Sequence, residues 1–344
     1  MQLTLRQTTL VDMKRLTALL LVLAVGACAT PAAAPSASAT LIAASPTPTS
    51  RPTADPTSAA PAASPSLIPL PNVAQLSAPS GKGVWALVAN SRLFRSTDRG
   101  DTWQEEKPPE LTPITLLSFI DDHEGWLAPL GSVGAGCGTQ SFALSHTADA
   151  GATWSALTAS GIPPAQCKNT MTFRDPTNGL VTAYDGTTAP VVYRTTDGGR
   201  TWSSGQPVPQ APGSTGGLTL VSVRVFGSTA LADLAGQADH YAYRSSDGGT
   251  TWTYANTAPN QQDVIAFVTA TRWLQISSPG NSKETTDGGA TWHSFTTDYQ
   301  QAAPVPPVIT FGDAQVGYAT VRGAIQRTID GGAPWSAIRT PGTF

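Results

Sequence analysis

The sequence predicts an all-β protein, a six-bladed β-propeller built from four-stranded antiparallel blades. The phrase Ser/Thr-x-Asp-x-Gly-x-Thr-Trp recurs six times, with its aspartates 40 to 51 residues apart, and this is the length of one four-stranded unit. A second motif recurs in phase with the phrase, and the composition favours strands and turns. The six copies are centred on Asp98 and Trp103, Asp149 and Trp154, Asp197 and Trp202, Asp247 and Trp252, Asp287 and Trp292, and Asp330 and Trp335.

The composition supports strands joined by many turns. Only 12% of the 344 residues are charged, whereas the chain has 32 glycines and 29 prolines. Long helices with charged faces are therefore not expected. The formal net charge is -3, which indicates no basic face for a nucleic-acid partner.

Each repeat contains four strand-like segments, A to D, and the phrase lies in the turn from C to D. In the second repeat the predicted strands are Ile114 to Ile120, Gly125 to Pro129, Ser141 to Ser145 and Trp154 to Leu157. The turn from A to B carries the second motif, in which we expect Phe to be buried, Asp to bond its own turn and Gly to permit a positive φ. Its copies are Phe119-x-Asp121-x-x-x-Gly125, Phe173-x-Asp175-x-x-x-Gly179 and Phe311-x-Asp313-x-x-x-Gly317.

The repeated phrase resembles the Asp box, or BNR repeat, of sialidases and of many other propellers. Together with the second motif it most resembles the Ycf48/Hcf136-like photosystem II assembly-factor group. The resemblance implies that the Asp accepts backbone amides in the C-to-D turn and that the Trp packs into the blade. The sixth copy departs from the pattern, because Pro334 replaces the usual Thr. Members of the group usually have seven blades, whereas six copies predict six. The ring closes either by side-chain packing or by a strand borrowed from around residues 66–70.

The N-terminus resembles a bacterial lipoprotein signal. Met13-Lys14-Arg15 is followed by a short apolar run and then by Val25-Gly26-Ala27-Cys28. The resemblance implies cleavage after residue 27 and lipidation of Cys28, with Met13 as an alternative start. An uncleaved membrane helix is the other interpretation, but about 14 apolar residues are fewer than the roughly 20 that span a bilayer.

Three segments follow from this reading. Residues 1–27 are a signal peptide, residues 28–70 a disordered tether rich in Ala, Pro, Ser and Thr, and residues 71–344 the propeller. The tether is either a plain linker or a glycosylated stalk. The protein is then lipid-anchored to a membrane of the cell envelope, on its extracytoplasmic side.

The two faces of the propeller differ. The stereotyped A-to-B and C-to-D turns share the turn face, while the B-to-C and D-to-A loops share the loop face. Variable loops on a rigid scaffold favour a binding site on the loop face, although neutral variation would look the same. These loops are Leu130 to Thr139, Asp185 to Pro190, Gly205 to Gly217, Ala235 to His240 and Thr297 to Pro307.

Cys137 and Cys167 lie in two loops of the loop face. An exported location favours a disulfide between them, with two free thiols as the alternative. The four histidines fall at unrelated positions of the repeat, so we expect no metal site and no cofactor.

The alternative function is an exported glycoside hydrolase similar to sialidases. The early Arg-Ile-Pro motif of sialidases is missing, and no tyrosine has an obvious glutamate partner in the sequence. The loop-face carboxylates are more typical of turns than of a catalytic pair. They are Asp185, Asp239, Asp263 and Asp298.

A last repeated feature precedes the hydroxyl residue of each phrase, where the chain has Arg95, His146, Arg194, Arg244, Glu284 and Arg327. The arginines either bond groups of the neighbouring blade or form a ring that recognises acidic groups. Taken together, the sequence predicts a monomer that binds a protein or glycan at the cell envelope, as a non-catalytic binding or assembly-scaffold protein.

Overall fold

The computed structural model describes residues 74–135, 139–164, 166–184, 189–261, 263–277, 280–299, 307–321 and 324–342. The predicted signal peptide with Cys28 and the predicted tether lie outside these residues. Within the described ranges, no helix is long and apolar enough to cross a membrane. The described residues belong to one compact unit of the chain, Ala62–Phe344.

The fold is a six-bladed β-propeller, and each blade is a four-stranded antiparallel sheet made of consecutive strands. Blade 1 contains β1 (Ala74–Ser77), β2 (Val84–Val88), β3 (Arg92–Ser96) and β4 (Gln104–Glu106), and blade 2 contains β5 (Ile114–Phe119), β6 (Gly125–Leu130), β7 (Leu144–Thr147) and β8 (Ser155–Leu157). Blade 3 contains β9 (Cys167–Phe173), β10 (Gly179–Tyr184), β11 (Val191–Thr195) and β12 (Ser203–Ser204), and blade 4 contains β13 (Thr219–Phe226), β14 (Thr229–Ala235), β15 (His240–Ser245) and β16 (Thr253–Thr257). Blade 5 contains β17 (Ala266–Phe267), β18 (Trp273–Gln275), β19 (Lys283–Thr285) and β20 (His293–Ser294), and blade 6 contains β21 (Val308–Phe311), β22 (Gly317–Val321), β23 (Ala324–Thr328) and β24 (Ser336–Ile338).

The predicted strands of the second repeat agree with blade 2 except at strand C. This strand begins at Leu144 rather than at Ser141, because the preceding residues pair as a separate loop. Gly131 donates to the carbonyl of Ser141 at 3.0 Å, and Leu130 forms an isolated bridge with Phe142. A pattern of apolar residues does not distinguish such a loop from the strand that follows it.

The A-to-B turns confirm two of the three predicted roles and correct the third. Phe173 is buried, and Asp175 accepts the backbone amides of Thr177 and Asn178 at 2.9 and 2.8 Å. Gly179, however, does not have a positive φ. A Cβ on this glycine would lie 2.6 Å from Cδ1 of Phe173, so glycine is required by the close approach of the ring.

The core lies largely between blades rather than within them. Trp85 of blade 1 stacks on Phe119 of blade 2 at a centroid distance of 3.8 Å, and Trp126 of blade 2 stacks on Phe173 of blade 3 at the same distance. These two pairs bury aromatic surface between neighbouring repeats, whereas Trp273 of blade 5 packs edge-on against Phe267 of its own blade. Trp154, a tryptophan of the phrase in blade 2, packs towards the preceding blade, in a cluster that includes Trp85 and other blade 1 residues.

The ring closes by side-chain contacts between blades 6 and 1. Both blades have four strands of their own among the described residues, and no borrowed strand is paired with them. Tyr318 and Ile325 of blade 6 pack with Val84 and Trp103 of blade 1. Arg327 adds polar contacts, donating to the carbonyl of Arg99 at 2.8 Å and pairing with Asp101 at 2.7 Å.

Candidate functional site

The repeated phrase forms a turn between strands C and D that is saturated with its own hydrogen bonds. In the third copy, Asp197 accepts the amide of Thr201 at 2.9 Å and its hydroxyl at 2.6 Å, together with the hydroxyl of Thr195 at 2.8 Å. The hydroxyl of Thr201, its amide and the hydroxyl of Thr195 hold the pKa of Asp197 at about 2. With its oxygens occupied within the turn, this carboxylate is suited to hold the turn together rather than to bind a ligand.

The sixth copy lacks most of these bonds. Thr328 approaches Asp330 only at 3.5 Å, and Pro334 supplies neither a hydroxyl nor an amide proton. The preceding loop still holds this turn, because Asp298 accepts the amide of Trp335 at 2.7 Å, as the carbonyl of Ser160 accepts that of Trp202 at 2.9 Å in the third copy. The preceding residue, Thr297, donates its hydroxyl to the carbonyl of Gly332 at 2.9 Å.

Most of the residues that directly precede a phrase form a hydrogen bond or ion pair, either with the next blade or within their own blade. Arg95 donates to the carbonyl of Asp122 at 3.2 Å, and Arg244 donates to that of Ala270 at 2.9 Å, in each case in the A-to-B turn of the next blade. His146 and Glu284 pair within their own blades with Glu124 and Arg272. Arg194 differs from the other arginines of this set, since no Nη bond joins it to a described residue as in Arg95, Arg244 and Arg327, and its Nε is buried without a partner. The six positions therefore do not form a continuous basic ring.

The loop face carries exposed apolar side chains. Of the four large apolar side chains that are exposed in the described part of the chain, three lie on this face. Val308 is 69% exposed at the start of β21, Ile114 is 40% exposed at the start of β5, and Val133 is 46% exposed in the B-to-C loop of blade 2. The fourth, Ile329, is 55% exposed in the sixth C-to-D turn, on the opposite face.

A central channel of about 570 Å³ opens between the innermost strands. Its lining includes Leu76, Leu116, Asn169 and Val308, from the inner strands of blades 1, 2, 3 and 6. Because every A strand runs from the loop face to the turn face, the exposed Val308 lies at the loop-face mouth. The lining also includes Pro79, Arg174 and Gly227 in the A-to-B turns, so the channel extends along the inner strands to the turn face and has a mixed apolar and polar wall.

Arg224 crosses the other end of this channel. From blade 4 it donates to the hydroxyl of Thr310 at 2.8 Å and to the carbonyl of Phe311 at 2.7 Å, both in blade 6. Burial lowers the pKa of Arg224 to about 10. Sequence analysis missed this residue, although an arginine inside the otherwise apolar run of β13 was a usable signal.

The predicted loop-face carboxylates have separate surroundings. Asp298 bonds the sixth C-to-D turn, so its predicted place on the loop face is wrong, and Asp185 lies outside the described residues. Asp239 and Asp263 flank His240, whose Nδ1 lies 2.9 Å from Oδ1 of the buried Asp233. Burial disfavours the charged imidazole, but the hydrogen bond and charge of Asp233 dominate and raise the pKa of His240. Asp233 also accepts the amide of Ile265 at 2.9 Å, so this pair joins blades 4 and 5.

The loops that carry the cysteines lie against each other. Lys168 donates to the carbonyls of Gln140 at 3.0 Å and Pro163 at 2.8 Å, and burial lowers its pKa to about 8. Cys167 is buried beside it at the start of β9. Cys137 lies outside the described residues, so the disulfide stays a prediction.

The hydroxyls of the described tyrosines show no glutamate partner. Four of them bond Gln166, Asp239, Thr257 and the carbonyl of Pro209, and the buried hydroxyl of Tyr318 has no partner among the described residues. In the described part of the chain, no group of three or more His, Cys, Asp or Glu side chains could hold a metal ion.

No family model and no curated protein matches the chain. Among solved structures, it is similar to Ycf48 bound to a D1 peptide, with 17% identity over 79% of this chain and 82% of that chain and a TM-score of 0.48. It is similar to Ycf48 from Cyanidioschyzon merolae, with 18% identity over 78% and 86% and a TM-score of 0.47. It is also similar to the SapL1 lectin in complex with α-methyl fucoside, with 12% identity over 79% and 97% and a TM-score of 0.49. At these identities the comparisons concern the fold.

Proposed function

We propose that this protein is a non-catalytic binding protein of the cell envelope, which holds a partner protein on the loop face of its propeller. The observation that carries the proposal is the placement of Val308, Ile114 and Val133 on that face. Exposed apolar side chains that share one face are suited to a protein-binding surface, because their burial by a partner is favourable. The sequence predicts either a protein or a glycan as the partner, so a glycan ligand is the alternative.

The central channel is suited to one protruding segment of a partner protein. Its volume of about 570 Å³ is enough for a few side chains, and Arg224 provides a cationic group at the end that a segment would reach last. We therefore expect an apolar segment to enter from the loop face. An assembly role near a membrane complex, as the resemblance to Ycf48-like proteins implies, is one form of this function.

The anchor is part of the same proposal. Lipidation at Cys28 and a tether over residues 28–70 would hold the propeller near the membrane while leaving both faces accessible. Metabolic labelling with a fatty-acid probe tests this directly. The wild-type chain is expected to incorporate the probe and to sediment with membranes, and Cys28→Ser is expected to lose both properties. Labelling of the Cys28→Ser chain would contradict the anchor.

Crosslinking in cells tests the binding surface. A photoreactive amino acid is placed at Val308 in one full-length variant, at Val133 in a second, and at Ile329 in a third. Ile329 is the matched control, because it is also an exposed aliphatic residue but lies on the turn face. We expect the same partner to be captured from Val308 and Val133, and not from Ile329.

Two results would contradict this function. One is equal capture of the same protein from Ile329, which would remove the loop face from the proposal. The other is robust hydrolysis of a fluorogenic glycoside by the purified protein, lost in Asp239→Asn or Asp263→Asn. Such hydrolysis would support the hydrolase alternative. Specific binding of a glycan without hydrolysis would instead show that the ligand is a glycan and not a protein.

A further inference from the structure

Blade 4 has a shorter A-to-B turn than its neighbours. The turn consists of Gly227 and Ser228 alone, with Phe226 paired directly to Thr229. The corresponding turns of blades 3 and 5 have five residues each, 174–178 and 268–272. The turn face therefore lacks three residues of backbone at the boundary between blades 3 and 4.

The missing backbone is the partner that Arg194 would otherwise have. Arg95 and Arg244 occupy the same position in blades 1 and 4, and each donates to a carbonyl in the middle of the next A-to-B turn. The two-residue turn of blade 4 has no such carbonyl. The Nη atoms of Arg194 therefore lack the acceptor that bonds Nη in Arg95 and Arg244. Its Nε is also buried with no hydrogen-bond partner among the described residues, as is Nε of Arg327, and this is an unfavourable state for a guanidinium donor.

The space left by the short turn is a pocket of about 280 Å³. Its apolar part comes from Leu180, Val225 and Ala230, and Arg194 lies in its wall. Exposed hydroxyl residues border it. They are Thr196, Ser228 and Ser246. A Cβ built on Gly227 or Gly248 would meet no atom within 4 Å, so both turns that edge the pocket face open space.

Two arginines and one aspartate line the pocket. Arg174 pairs through its Nε with Asp175 at 2.9 Å. The carboxylate of Asp247 stays ionised, but its oxygens accept from the amide of Thr251 at 3.0 Å and from its hydroxyl at 2.7 Å. Arg194 is therefore the cation of the pocket wall that forms no ion pair with a described carboxylate.

We propose that this pocket binds a carboxylate that carries a short aliphatic body. The planar guanidinium of Arg194 matches a carboxylate in two parallel hydrogen bonds, and Leu180, Val225 and Ala230 accept the aliphatic part. The carboxylate belongs either to the last residue of a protein chain or to a free small acid. The site lies on the turn face and is independent of the loop-face function proposed above.

The test is calorimetric titration of the full chain with matched probes. N-acetyl-leucine is compared with N-acetyl-leucinamide, which has the same aliphatic body without the charge. We expect the acid to bind at least about tenfold more tightly than the amide, and to bind more weakly as salt is added. A leucine-terminated tetrapeptide and 4-methylpentanoate then separate the two sources, since a chain terminus predicts the tighter binding for the peptide and a free acid predicts the reverse.

Variants locate the site. Arg194→Gln is expected to weaken binding of N-acetyl-leucine at least about tenfold, and Ser246→Trp to block the pocket mouth with a similar loss. Arg95→Gln and Arg244→Gln are the matched controls, because they remove the same charge at equivalent positions and are expected to leave binding unchanged. Equal binding of acid and amide to the wild-type chain, or an equal loss in the controls, would overturn the proposal.

The melting temperatures of two further variants separate a binding role of Arg194 from a structural one. Because Arg194 has no partner to lose, Arg194→Met is expected to leave the melting temperature unchanged or to raise it. Arg244→Met is expected to lower it, since the carbonyl of Ala270 loses its donor. A loss of stability in Arg194→Met as large as that in Arg244→Met, together with no binding of the acid, would make Arg194 a structural residue.

Discussion

The third and sixth C-to-D turns have the same backbone course but are held in different ways. In the third turn, the carboxylate of Asp197 gathers the hydroxyls and amides of its own eight residues. In the sixth, Pro334 removes two of these donors, but the bonds from the preceding loop remain: Asp298 accepts the amide of Trp335, as the carbonyl of Ser160 accepts that of Trp202 in the third turn. The comparison shows that the turn shape persists without most of its local bonds when the bonds from the preceding loop are kept.

The largest expected effect comes from removing the central carboxylate of each turn. Asp197→Ala is expected to lower the free energy of unfolding by about 2 kcal/mol, even with solvent competing for the exposed donors. Asp330→Ala is expected to lower it by less than about 0.5 kcal/mol, because a single contact of 3.5 Å is lost. Urea unfolding monitored by tryptophan fluorescence measures both. Equal losses would show that the sixth turn depends on its own carboxylate after all.

The external support of the sixth turn gives the next effect. Asp298→Ala is expected to cost about 1 kcal/mol, because the amide of Trp335 loses its acceptor. Asp298→Asn is the matched control and is expected to cost less, since its amide oxygen still accepts this bond. The same urea titration is used. A larger loss in Asp298→Asn than in Asp298→Ala would assign the effect to charge rather than to the hydrogen bond.

A smaller effect concerns the residue after the aspartate. Gly198 in the third turn and Gly331 in the sixth have φ of 77° and 80°, whereas the second turn has Ala150 at 62°. Ala150→Gly is expected to stabilise the protein by about 0.5 kcal/mol, because glycine adopts a positive φ without strain. Ala152→Gly, in the same turn but without a positive φ, is the control and is expected to be neutral or destabilising. Thermal melting distinguishes the two.

The smallest expected effect is on how the free energy of unfolding falls at acid pH, because solvent screens the exposed carboxylates of the turns. The pKa of Asp197 is about 2, below the value near 3.9 of an unfolded chain. Its contribution to the free energy of unfolding is therefore complete above about pH 5 and is lost as the pH falls towards 2. We expect the free energy of unfolding to fall more steeply between about pH 5 and pH 2.5 in the wild type than in Asp197→Asn. A parallel decrease in both would contradict the assignment.

The fold was predictable because its signals are local. The phrase around Asp197 and the motif from Phe173 to Gly179 each contain all the groups that form their own turns. The role of Gly179 was not predictable in detail, since the contact that excludes a Cβ depends on how the ring of Phe173 packs. Period and motif were sufficient for six four-stranded blades.

The candidate sites were less predictable because they depend on neighbours. Arg194 has the same sequence position as Arg95 and Arg244, and it differs only because a turn in the next blade is short. Likewise Arg224 bonds Thr310 and Phe311, more than 80 residues away in the sequence. No local pattern specifies such pairs, although the absence of the Asp motif after Phe226 was visible in the sequence.

Closure by side chains makes every blade a continuous stretch of the chain. The seam between blades 6 and 1 uses Tyr318, Ile325 and Trp103, the same kinds of contact that join every other pair of blades. Duplication of one repeat would therefore insert a whole blade, with no shared sheet to be re-paired. A change in the number of blades in such a ring requires only a small adjustment of the angle between neighbouring blades. If the original ends of the propeller were joined and the chain were opened in any D-to-A loop, the permuted chain would keep six intact sheets.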